Sequence, residues 1–168
     1  MRWTLYNPRP WDYQNQLWKT CLRRKTRVDL WCFFDTNILI SAALISGSAA
    51  DVAVRRVQEK CEPLVFSDAT FAELEEVLMR EKFNRYVAME SSRELLEVWR
   101  SSAFFMPLSG IRVTVTDCRD AADNKFLELA LASETKVIAT GDPDLLVLNP
   151  WRKIRILTLA NFLDQITL

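Results

Sequence analysis

Carboxylates stand where a parallel α/β sheet would gather them. Asp35 follows the first short apolar run, Asp68 the second, Asp117 the third and Asp142 the fourth. Asp120 and Asp123 open the helical stretch between the last two. Open parallel sheets bind ligands just outside the carboxyl ends of their strands, so this spacing brings several acids to one edge. Two carboxylates about 4 Å apart repel by roughly 4 kcal/mol at an effective dielectric near 20. Such crowding calls for protonation or a divalent cation, and an all-oxygen donor set favours Mg²⁺ or Mn²⁺ over zinc or copper. Each acid also has a structural reading. Asp68 beside Ser67 suits a helix N-cap, and Thr70 with Glu73 has capping-box spacing. Asp120 and Asp123 suit a helix N-terminus, and Asp142 and Asp144 suit a turn. What these readings leave unexplained is the gathering of acids at one edge.

Absences narrow the chemistry further. The 168 residues include no histidine, which removes Ser-His-Asp and Cys-His nucleophiles and histidine-bearing zinc sites. Four cysteines (Cys21, Cys32, Cys61, Cys118) form no C-x-x-C pair, and Cys32 and Cys118 sit in or beside apolar runs as small hydrophobes. Three scattered glycines allow neither a P-loop nor a dinucleotide-binding turn. If the chain is an enzyme, carboxylates with hard metal ions are the leading candidates for its chemistry.

The elements that must position these acids alternate. Apolar runs at Leu30–Phe34, Leu64–Phe66, Ile111–Val115, Lys136–Ala139 and Ile154–Leu157 read as strands. Helical spacing covers Ile38–Ile45, the stretch after Asp68 to Arg80, Ser92–Phe105, Asp120–Ser133 and Ala160–Ile166. Such alternation predicts a mostly parallel sheet with helices on both faces. In the second helix Phe71, Leu74, Val77 and Leu78 form the apolar stripe, with Glu76 opposite and Glu73 and Glu75 on its flanks. Glu73, one turn from the helix start, lies nearest the strand ends.

Composition suits one domain: 49% apolar residues, and 22 basic side chains balancing 22 acidic ones. No apolar run approaches the about 18 residues of a membrane span, and the first residues do not read as a secretory signal, so a cytoplasmic protein without membrane contact is expected. Residues 1–27 differ from the remainder, with seven basic side chains against Asp12 alone, and with Trp3, Trp11 and Trp18. They read as a basic aromatic extension, either poorly ordered or able to stack on bases and track phosphates, ahead of a domain over 28–168.

Four ordered stretches resemble the PIN-domain family, metal-dependent nucleases that include toxins of bacterial VapC-type toxin–antitoxin pairs. They are Phe34-Asp35-Thr36-Asn37-Ile38-Leu39-Ile40-Ser41, Ala72-Glu73-Leu74-Glu75-Glu76-Val77-Leu78, the run from Asp120 to Ala130, and Ala139-Thr140-Gly141-Asp142-Pro143-Asp144-Leu145-Leu146. The resemblance implies a three-layer α/β fold whose five-stranded sheet has order 3-2-1-4-5. It implies metal-dependent hydrolysis of RNA phosphodiester bonds, a homodimer, and an antitoxin protein as partner. It assigns the acidic quartet that catalyses and binds metal to Asp35, Glu73, Asp123 and Asp142. Asn37 and Thr140 look like buttressing residues, Asp120 and Asp144 like auxiliary acids, and Asp68 and Asp117 are set aside. Lys125, Arg80, Lys82 and Arg85 are candidates to neutralise substrate phosphates.

Two other readings compete. A D-x-[DN] element after a first strand also opens aspartyl-phosphate phosphatases, with Asp35 as nucleophile, although Asn37 replaces the second aspartate. Alternatively, a PIN fold without catalysis could bind RNA or a protein, in keeping with a net charge of zero.

Overall fold

The computed structural model describes residues 32–60, 63–108 and 114–166. The extension over 1–27, Leu30, Trp31, Ile111–Val113, Cys21 and Cys61 lie outside them. The described residues form five short strands: β1 (Cys32–Phe34), β2 (Val65–Phe66), β3 (Phe104–Phe105), β4 (Val137–Ala139) and β5 (Arg155–Leu157). The helices are α1 (Thr36–Leu44), α2 (Ala49–Glu59), α3 (Asp68–Leu78), α4 (Met89–Ser102), α5 (Asn124–Ala132), α6 (Pro143–Leu146) and α7 (Leu159–Ile166). Two single 3₁₀ turns, Glu81–Phe83 and Ala121–Asp123, precede α4 and α5.

The central sheet runs β1-β4-β5, all parallel, with Phe34 opposite Ala139 and Ala139 opposite Leu157. Alternate residues point to opposite faces of a strand. Phe33, Ile138 and Ile156 therefore enter one core with Phe126, Leu127 and Leu129 of α5 and Leu145 of α6. Cys32, Phe34, Val137, Ala139 and Leu157 enter the other, with apolar residues of α1, α2, α3, α4 and Phe162 of α7. Helices thus cover both faces, giving three layers. Among the described residues, no single helix is long and apolar enough to cross a membrane. Cys32 and Cys118 are buried.

Among the described residues the expected five-stranded order 3-2-1-4-5 does not form. Three strands make the main sheet, while β2 and β3 pair separately as a parallel two-stranded sheet. The partner of β2 is also a different segment, Phe104–Phe105, which reads in sequence as the end of a helix. Helix α4 stops at Ser102, and Phe105 turns to pack on Phe66 and Phe71 at centroid distances of 6.0 and 5.3 Å. Thr114 and Val115, expected to finish a strand, form none; the Val115 N–H donates to Glu128 Oε1 at 3.1 Å instead. Val65 and Phe66 still alternate between the same two cores as Phe33 and Phe34. Burying each is worth about 1.5–3 kcal/mol, more than the roughly 0.5–1.5 kcal/mol net of a ladder bond, so packing holds β2 in the layer without pairing to β1.

Local chemistry sets the helix starts. Asp35 Oδ1 accepts the Ile38 N–H at 2.8 Å and caps α1. Ser67, rather than Asp68, caps α3, in a reciprocal pair with Thr70; Glu73 takes no part in that capping box. Helix α2, which has no counterpart among the sequence expectations, starts at Ser48. Its buried Asp51 accepts the Gly47 N–H and pairs with Arg55 Nε, both at 2.7 Å. Gly47 has φ of +76°, a left-handed conformation that glycine adopts without strain.

Candidate active site

The sheet register builds the site. Phe34, Ala139 and Leu157 lie side by side, so the residues that follow leave the sheet together. The Asp35 N–H donates to the Ala139 carbonyl at 3.1 Å, and the Thr140 N–H to the Leu157 carbonyl at 2.9 Å. Asp35, only 2% exposed, then receives three donors. Besides the Ile38 N–H at Oδ1, the Thr140 hydroxyl and the Gly141 N–H (3.2 Å) both reach Oδ2. Thr140 Oγ1 accepts in turn from the Asp142 N–H at 2.9 Å, so one buried hydroxyl ties Asp35 to Asp142. Asp142 caps the single turn of α6, its Oδ1 accepting from the Asp144 N–H at 2.7 Å.

Asp123 arrives from the opposite core, at the end of the 3₁₀ turn before α5, and Glu73 from the middle of α3. The four acids, with Thr36, Asn37, Phe126 and Leu145, line one open pocket of about 30 Å³, room for an ion and a water or two. Lys125 Nζ lies 2.9 Å from Glu73 Oε2. That approach is outside hydrogen-bond geometry, and Oε2, shielded from water, has no hydrogen-bond donor.

Electrostatics records the crowding. Burial raises the Asp35 carboxyl above the usual aspartate range; bonds from Thr140, Ile38 and Gly141 offset part of this, and the charge of Asp142 adds to it. The Asp123 carboxyl is pushed up to about 6, by burial first and then by Asp142, Asp120 and Glu73, with Lys125 opposing. An unfolded aspartate titrates near 3.9, so the folded, metal-free protein holds extra proton between about pH 4 and 6. Stability from this group is complete below about pH 4 and is lost as pH rises through 6. Asp123→Asn is therefore expected to stabilise the metal-free protein at pH 7.5, by on the order of 1 kcal/mol after allowing for solvent screening. At pH 4 it should change little. Paired thermal melts in EDTA check this, and a lower midpoint at pH 7.5 would contradict it.

The remaining sequence candidates divide. Asn37 lines the pocket and is exposed, and Thr140 is fully buried. Asp120 is exposed and caps the 3₁₀ turn through the Ala122 N–H at 2.8 Å, its charge reaching Asp123. Asp144 does not line the pocket; Arg119 pairs with it at 2.7 Å. Asp117 is drawn away to Trp151 Nε1 at 2.6 Å and Arg152 at 3.2 Å, and Asp68 is exposed at the start of α3. Of the cations considered for phosphate, only Lys125 contacts a pocket acid. Arg80 pairs with Glu76, while Lys82 and Arg85 lie over Phe83 and Tyr86. Sequence reasoning passed over Thr36 and Gly141. Both adjoin strand-end aspartates, and that adjacency was the available signal.

A family model for the PIN domain matches residues 32–144, from β1 into the first turn of α6. This chain belongs to the PIN-domain family. No curated protein and no solved structure matches it. PIN domains are generally nucleases, hence hydrolases, and they typically use divalent metals. The PIN pocket described above suits a hard cation in donor chemistry, since its acids offer only oxygen and Glu73 Oε2 is a buried acceptor lacking a donor. As placed, no three acids among the described residues could hold one ion together, so binding requires rearrangement, which falls to Glu73 and Asp123 because hydrogen bonds fix Asp35 and Asp142.

Proposed function

We propose that this PIN domain is a Mg²⁺- or Mn²⁺-dependent endoribonuclease, acting as the toxin of a toxin–antitoxin pair. The observation that carries the nuclease reading is the convergence of Asp35, Glu73, Asp123 and Asp142, from four separate segments, on one pocket. These four would hold the metal. When bound, such an ion lowers the pKa of water and neutralises charge on the leaving oxygen. The protein's own part is positioning. Asp35 is locked by its three donors, and Asp142 is held through Thr140 and the Asp144 N–H. Asn37, exposed at the rim, offers an amide donor to a phosphate oxygen. No strong general base is required of a chain without histidine.

The toxin role, an antitoxin partner, a homodimer and a cytoplasmic location belong to this proposal on the strength of the family resemblance. The test is incubation of the purified chain with single-stranded and structured RNA, with Mn²⁺ and with EDTA. Cleavage with Mn²⁺ and none in EDTA is expected. RNA left intact at millimolar Mn²⁺ would overturn the reading. It would favour a non-catalytic PIN module, for which the spacing of the acids speaks. A Tm unmoved by Mn²⁺ would point the same way, because a ligand that binds only the folded state must raise it.

A further inference from the structure

Lys125 is placed where its charge is penalised twice. It sits in the first turn of α5, where the helix dipole disfavours a cation, and its side chain is only 24% exposed. Its ammonium lies over the Phe126 ring, with Nζ 5.2 Å from the centroid, a cation–π contact that offsets part of this cost. The same ammonium lies 2.9 Å from Glu73 Oε2, an oxygen shielded from water and without a hydrogen-bond donor. Among the described residues no other cation is paired with an acid of the pocket. Arg119 is held by Asp144, and Arg80 and Arg100 are held by Glu76 and Glu75 on the outer surface of α3.

We infer that Lys125 is a built-in counter-cation of the pocket, neutralising Glu73 in the metal-free protein and competing with the metal for that carboxylate. The inference rests on the metal-binding reading above. Lys125 is a positioning residue in this scheme: it keeps four acids folded together before a divalent ion arrives. It also raises the metal concentration needed to fill the pocket.

The two effects have opposite signs, which separates them from packing damage. Lys125→Met is expected to lower the metal-free Tm in EDTA by several degrees and to tighten Mn²⁺ binding, by calorimetry, about tenfold, the size of one screened charge–charge interaction. Lys125→Arg, which keeps the charge, should return both towards wild type. If Lys125→Met does not fold, Lys125→Gln is measured for the same pair of readings. Affinity that is unchanged or weaker in the uncharged variant, with wild-type protein binding Mn²⁺ normally, overturns the counter-cation and leaves the metal reading standing. Wild-type protein that binds no Mn²⁺ overturns both.

Discussion

Asp35→Asn is expected to lower Mn²⁺-dependent RNA cleavage by at least about 100-fold while the protein stays folded. Asparagine keeps an acceptor for the Ile38 N–H, and it is as good an N-cap as aspartate, so α1 should start unchanged. At the other oxygen the substitution puts an NH₂ where the Gly141 N–H donates, which is unfavourable. Against this, the burial that raises the Asp35 carboxyl no longer penalises a charge. These effects oppose each other, and the net change in stability should stay within about 1 kcal/mol. Function has no such compensation, because the fixed negative charge at the head of the pocket is gone. Initial cleavage rates alongside a thermal melt make the comparison. A folded variant cutting at the wild-type rate would place the chemistry elsewhere.

Thr140→Val should have the largest effect on stability, about 2–4 kcal/mol, from a change of almost no volume. The hydroxyl is fully buried, donates to Asp35 and accepts from the Asp142 N–H. Valine leaves the Asp142 N–H without its acceptor, at about 1–3 kcal/mol, and takes from the Asp35 carboxylate one of its three hydrogen bonds, worth about 1.5–3 kcal/mol. Both acids also lose the group that aims them, so cleavage should fall by roughly 10- to 100-fold, as when second-layer partners of metal ligands are removed. Thr140→Ser retains the hydroxyl and should recover most of both losses. Denaturant unfolding together with kinetics on the three proteins provides the check. Wild-type stability in the valine variant would mean that the hydroxyl bridges nothing.

Features that arise from neighbours along the chain were legible in the residues alone. Strand-then-acid spacing marked Asp35 and Asp142, and apolar periodicity put Glu73 on the flank of its helix. Alternation of short apolar runs with helical stretches gave parallel strands covered on both sides. These follow from side-chain direction and capping, which act over a turn or two. The same local logic marked Asp68 and Asp117 equally well; the family resemblance set them aside, and the tertiary contacts give the physical reason. Ser67 took the cap beside Asp68, and Trp151 and Arg152 drew Asp117 away.

Pairing was also a tertiary decision. Strands β2 and β3 are two residues long, so backbone hydrogen bonds add little and aromatic packing chose Phe104–Phe105 as the partner. The contact between Lys125 and Glu73 joins two helices with no sequence signal linking them. It exists because α3 and α5 approach each other at the sheet edge, where a half-buried carboxylate attracts whichever cation the packing delivers.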